Sequence, residues 1–280
     1  MKISYIIGKS PMRGFDPAHS AKKAIEFVGE FRGAKNAFEN LDLTIVSREL
    51  QGDFFSGKNC SPELLSMNLQ LRSAKLKLAG ICQGSSMFIL EPHPLEIGCG
   101  EFLTRPNNIV FETKLSHELN HFVDNAMGFE VKYLAKTKPP FYKRALSSVL
   151  GALFIHTNLF QGNLALKALD AIRELNKISK RGALKQIIEG RAKLVELHYL
   201  LAESKKEEHA NLRSFFEKQV AHCRLDYYPQ ALNFMEKISD ALGSPKLALD
   251  ATFELLPTMK ELKHPERYLA RLADSARAKP

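Results

Sequence analysis

Cysteine is scarce in this chain: there are four in 280 residues, Cys60, Cys82, Cys99 and Cys223, with no Cys-x-x-Cys among them. Such wide, irregular spacing argues against a disulfide framework and predicts reduced, buried thiols. Long apolar runs are missing too. A membrane-spanning helix needs about eighteen uninterrupted apolar residues. The nearest stretch, Ala145 to Phe160, is broken by Ser147, Ser148, His156 and Asn158, and reads as a buried helix. Met1 to Ile7, followed by Gly8-Lys9-Ser10-Pro11, lacks the plan of a cleavable secretory signal. The expected location is therefore the cytoplasm, or the outside by a route that needs no such peptide. Gly8-Lys9-Ser10 is not a phosphate loop, because Ile3 stands where the first glycine of that motif belongs. Internal repeats and low-complexity stretches are also lacking.

Charge is plentiful but unsorted. The 40 basic and 31 acidic residues leave a net charge of +9, yet they interleave along the whole chain. No basic run alternates with aromatics as a single-strand binder requires, so a solvated basic surface is expected and a nucleic-acid partner is not. With 45% hydrophobic residues the chain can fill a substantial core, as one large domain or two lobes.

Ile3 to Ile7 predicts a strand. Between Pro17 and Asn40 the apolar residues Ala21, Ala24, Ile25, Val28, Phe31 and Phe38 recur at helical spacing, predicting a helix broken near Gly33. Leu43 to Val46 predicts a short strand, and Ser61-Pro62-Glu63 opens a helix expected to reach Ala79. Ser86–Leu90 and Asn108–Glu112 are short apolar or β-branched runs bounded by Pro92, Pro94, Gly98, Gly100 and Pro106. They predict a small sheet that leads into a helix capped by Thr113 and ended by Gly128. Beyond it, helices are expected at 142–157, 161–178, 182–203, 205–223, 228–241, 245–255 and 258–275, with Arg267 to Pro280 fraying. The expected fold is α+β and predominantly helical. An N-terminal α/β lobe would cover 1–113 and a helical lobe 114–280, or the two would form one continuous domain with a cleft between them.

The helix after Thr113 carries Leu115-Ser116-His117-Glu118-Leu119-Asn120-His121-Phe122. Histidines four apart share a helix face, because 3.6 residues per turn brings them almost into line, so both imidazoles can reach one metal ion. Glu118 lies about 100° round the helix, near enough to hold and deprotonate a water on that metal. This is the His-Glu-x-x-His arrangement of zinc metallopeptidases. With 9 His and 22 Glu in the chain, it arises by chance in about two chains in a hundred of this composition, so the motif is informative and its surroundings must settle the case.

Catalytic zinc takes three protein ligands and keeps one position open. The metzincin continuation would put glycine and histidine where Asp124 and Met127 stand. Asp124 is seven residues from His117, about 10 Å along the axis, which suits it to orienting a ligand or to the helix surface rather than to binding metal. That leaves a glutamate on a later helix: Glu130, Glu174, Glu189, Glu196 or Glu203. The run Ile187-Ile188-Glu189-Gly190-Arg191-Ala192-Lys193-Leu194-Val195-Glu196 stands out, and Glu196 shares the face of Glu189 two turns on. Here the sequence resembles the gluzincin peptidases, whose second zinc-binding helix often reads Glu-Gly-x-Ala followed by a further acid. The resemblance covers some thirty residues in two pieces. It implies a zincin-like core in which His117, His121 and Glu189 bind Zn2+ and Glu118 is the general base. The chain departs from the family four residues after Glu189, where an acid often stands and Lys193 is found. Orientation of the histidines then falls to Asp124, Glu196 or a backbone carbonyl. Independently, Gly190 would let the two helices approach closely, with Ala192 keeping the crossing thin. His93, His156 and His198 read as structural or surface residues.

These features predict a zinc-dependent endopeptidase acting on a protein or peptide substrate. Tyr133, Tyr142, Tyr227, Tyr228 and His222 are open as donors to the developing oxyanion. Tyr199, about 15 Å beyond Glu189 along one helix, is too distant. The strand at 86–90 or at 108–112 is expected to pair with an extended peptide. Lys132, Lys136, Lys138, Lys143 and Arg144 form either a basic rim that prefers acidic segments or a solvated loop. The alternative is a catalytically inactive, zincin-like helical protein-interaction module. A protease motif without a signal peptide also suits a bacterial effector delivered into a host cell.

Overall fold

The computed structural model describes residues 1–6, 16–46, 80–83, 85–90, 107–134, 180–205, 210–211, 213–214, 216–217 and 227–277. Helix predominates among them and the strands form one small sheet, so the α+β, mostly helical expectation holds. The chain packs as two compact units, Met1–Met127 with Ala192–Cys223, and Gly128–Arg191 with Arg224–Pro280. The helices expected at 61–79, 142–157 and 161–178 lie outside the described residues, as do Cys60, Cys99 and Cys223. No described helix is long and apolar enough to cross a membrane.

The first unit holds strands β1 (Lys2–Ile6), β2 (Asp42–Val46), β3 (Gly80–Gln83) and β4 (Ser86–Leu90), in the sheet order β1-β2-β4-β3. β1, β2 and β4 are parallel, and β3 is antiparallel to β4. A parallel neighbour needs a crossover, and α1 (Pro17–Arg32) lies between β1 and β2 in the chain. Asp16 caps α1 by accepting from the Ala18 and His19 amides, and Pro17 takes the first helical position. Gly33 ends the helix at φ 62°, so the expected break is present. Leu43, Ile45, Met87 and Ile89, which alternate along β2 and β4, are all buried. β3 matches no predicted strand; four residues are too few to show a period.

The run 108–112, expected as a strand, instead opens helix α2 (Asn107–Ala126). Five residues fit either period, and the longer pattern decides the matter: Phe111, Leu115, Leu119, Phe122 and Val123 make one buried helical stripe. Thr113 is no cap but sits inside α2, its hydroxyl donating to the Ile109 carbonyl at 2.6 Å. Gly128, at φ 73°, follows the end of α2 as expected. α2 packs on α1, and Phe122 stacks on Phe38 with ring centroids 5.7 Å apart. β4 is an interior strand, so neither sequence candidate for pairing with a peptide is a free edge.

The second unit contains α3 (Phe129–Leu134), the first half of α4 (Lys180–Ala202), α5 (Tyr227–Leu242) and α6 (Pro245–Glu254). The helix expected at 258–275 is two, α7 (Met259–Lys263) and α8 (Pro265–Arg277). Pro265 has no amide hydrogen to donate, and it drives His264 out of the helical region to φ −132°. The tail does not fray from Arg267. It is helical to Arg277, and Arg271 bonds the Glu261 carboxylate at 2.7 Å and the Leu256 carbonyl at 2.9 Å. Arg191 is fully buried, lies 4.4 Å from the Phe129 ring centroid, and donates to the Leu249 carbonyl and the Thr252 hydroxyl.

At Gly190 the close neighbour is α5: a Cβ there would stand 2.8 Å from the Ala231 carbonyl oxygen, an approach that only glycine admits. Gly190→Ala is expected to lower unfolding free energy by about 1–3 kcal/mol, read from the urea midpoint. Burial pushes the Glu261 carboxyl up, but Arg271 and Thr258 overcome it and leave it below the ordinary 4.5. Its stabilisation is therefore complete above pH 4.5 and lost as pH falls through the lowered value. Arg271→Leu should flatten that acid limb when denaturant unfolding is followed against pH.

Candidate metal centre

α2 presents His117, Glu118 and His121; α4 presents Glu189, Lys193 and Glu196. The Nε2 atoms of His117 and His121 are 3.1 Å apart, with the rings nearly perpendicular at 82°. Two imidazole nitrogens on one tetrahedral zinc, each about 2.0–2.1 Å from the metal, stand roughly 3.3 Å apart. The pair thus has the bite of a chelate. His117, His121 and Glu189 each offer a ligand atom within 4.8 Å of the others. Among the described residues this is the one cluster of His, Cys, Asp and Glu so placed.

His117 Nδ1 lies 3.0 Å from Glu196 Oε2. An ionised carboxylate can only accept, so Nδ1 carries a proton, and in the neutral ring Nε2 keeps its lone pair. Glu196, one of the rivals for third ligand and one of two candidates for orienting acid, takes the orienting position. Lys193 Nζ bonds the same Oε2, an i,i+3 pair on α4. Burial alone pushes the Glu196 carboxyl up, but the Lys193 ammonium and the bond from His117 outweigh it and hold the carboxyl at about 2. Lys193 and Glu196 lie one turn apart on α4, so the carboxylate that faces His117 has a cation beside it.

Asp124, the other candidate for orienting, accepts from Arg32 at 2.8 Å and from the Asn120 amide at 3.2 Å. Both members of the Arg32–Asp124 pair are only 3% exposed, and the pair fastens α2 to α1. Glu118 is half-buried, and among the described residues no hydrogen bond or ion pair holds its carboxylate. Glu112, one and a half turns before His117, is buried and accepts from the Tyr199 hydroxyl at 2.7 Å. Burial, followed by that bond, pushes the Tyr199 phenol well above its ordinary range. Lys23 lies 3.7 Å from Glu112 and is bonded to Glu203, which removes Glu203 as a rival ligand.

Several sequence candidates are engaged elsewhere. The Tyr133 hydroxyl, considered for the oxyanion, donates to the Phe253 carbonyl at 2.6 Å. Lys132 donates to the same carbonyl at 3.0 Å and lies over the Phe253 ring, so it is not a solvated rim residue. His198 packs on Phe31, a structural contact as expected. Tyr142, His222, His93, His156, Glu174, Lys136, Lys138, Lys143 and Arg144 lie outside the described residues, as do the side chains of Glu130, Tyr227 and Tyr228. Arg32 was missed by sequence reasoning. Its partner is 92 residues away and no local pattern links them.

No protein-family model, curated protein or solved structure matches this chain. Arg32→Met would leave the Asp124 charge buried without its guanidinium. Unfolding free energy is expected to fall by about 3–5 kcal/mol, measured by denaturant titration.

Proposed function

We propose that the protein is a zinc-dependent peptidase with a zincin-like centre, acting on protein or peptide substrates as an endopeptidase. The observation that carries this reading is the convergence of the two Nε2 atoms, 3.1 Å apart, with a Glu189 ligand atom within 4.8 Å. Two imidazoles and one carboxylate form a donor set that catalytic zinc uses, with the fourth position left for water or substrate. When bound, zinc supplies a Lewis acid and brings the acidity of a water close to neutrality. Glu118, about 100° round the helix from His117 and held by no described side chain, would take a proton from water at its carboxylate and return it to the leaving amine. Glu196 keeps His117 in the tautomer that binds metal.

A second reading, a non-catalytic interaction module on the same core, draws support from Tyr133, whose hydroxyl is tied to Phe253 and so does not serve as oxyanion donor. The two readings separate experimentally. Purified protein is expected to carry stoichiometric zinc by atomic emission. Glu118→Gln should keep that zinc and cut casein or a peptide library roughly 10²- to 10⁴-fold more slowly. Absence of zinc after metal-replete purification rejects the metal centre. Zinc without Glu118-dependent cleavage selects the module.

A further inference from the structure

Lys193 occupies the place where the resembling family often has an acid, and its ammonium turns back onto Glu196. Both donors, Lys193 Nζ and His117 Nδ1, converge on one oxygen, Glu196 Oε2. The Lys193 and Glu196 side chains are only 15% and 10% exposed, and the ammonium lies 5.6 Å from the Phe216 ring centroid. A glutamate side chain turns about three torsions, so a single imidazole bond leaves it much freedom. A charge-assisted second donor on the same oxygen removes that freedom, and the face of Phe216 favours the cation where it stands.

We infer that Lys193 is a positioning residue: acting through Glu196, it fixes the ring orientation and the Nδ1–H tautomer of His117, leaving Nε2 bare for a metal ion. A flipped His117 ring would present carbon to the metal position, and the other tautomer would present N–H; either removes a ligand. The proposal takes its purpose from the metal-site reading above, but the tautomer it predicts is a property of the chain with or without metal. It also assigns the consequence of the family departure. Where an acid would orient histidine directly, this chain uses a lysine to aim an acid placed one turn further on.

The test uses the full chain. Histidine ¹⁵N correlation spectra report the tautomer directly, and wild-type His117 is expected to be protonated at Nδ1. Lys193→Met keeps the aliphatic stem and removes the charge. It should mix the tautomers and weaken zinc binding by roughly ten- to a hundredfold, measured by competition with a chromophoric chelator. Lys193→Arg should restore both. Combining Lys193→Met with Glu196→Gln should weaken binding no further than Glu196→Gln alone, because the lysine acts through the glutamate. A Lys193→Met protein with native circular dichroism, an unchanged tautomer and unchanged affinity overturns the proposal. Should that variant fail to fold, Lys193→Gln is judged by the same two readouts. If wild type binds no zinc the peptidase reading falls, and the tautomer of the Lys193 variants alone decides the positioning role.

Discussion

The hydrogen bond between His117 and Glu196 joins positions 79 residues apart, and the geometry of the centre depends on it. It does not act alone. Tyr199 on α4 bonds Glu112 on α2, so as the chain ascends α2 from Glu112 to His117 the partners descend α4 from Tyr199 to Glu196. Two ties in that order make the helices antiparallel. One tie permits a pivot; two fix both rotation and slide. Each joins groups whose burial without a partner would cost about 1–3 kcal/mol or more, so register is held by polar satisfaction as well as by apolar contact.

The same ties explain how acids are distributed on α2. Glu112 is engaged by Tyr199 and Lys23, and Asp124 by Arg32 and Asn120. Buried carboxylates need such partners, because desolvation penalises a lone charge by several kcal/mol. Glu118 lies between them in the sequence, half-buried, and no described group claims it. Two acids on the helix therefore hold it in place while the third is left uncommitted. Environment separates these roles, since the residue types are nearly the same.

Much of this was legible in the sequence, and the gaps have physical causes. The helix carrying His117 and His121 was legible from Gly128, although its Thr113 cap lies inside it, and the Pro17–Arg32 helix from its periodicity and Gly33. Glu196 was visible as sharing the face of Glu189, because seven residues are nearly two turns; its orienting role needed the position of His117 as well. Short runs were ambiguous: 108–112 fits a strand until the residues after it are considered together. Gly190 signalled a close crossing without naming the neighbour, which is Ala231. Contacts such as Arg32 with Asp124 left no trace, since only the fold brings them together.

The stripe of Phe111, Leu115, Leu119, Phe122 and Val123 buries α2 without using any side chain assigned to metal. Arg32 fastens the same helix from another element. In small zinc modules binding and folding are one event, so stripping the metal unravels the chain. Here the residues that would bind a metal are not the residues that bury the helix. Loading of the proposed site would thus be a separate step from folding, and metal supply would switch that site on and off without condemning the polypeptide that carries it.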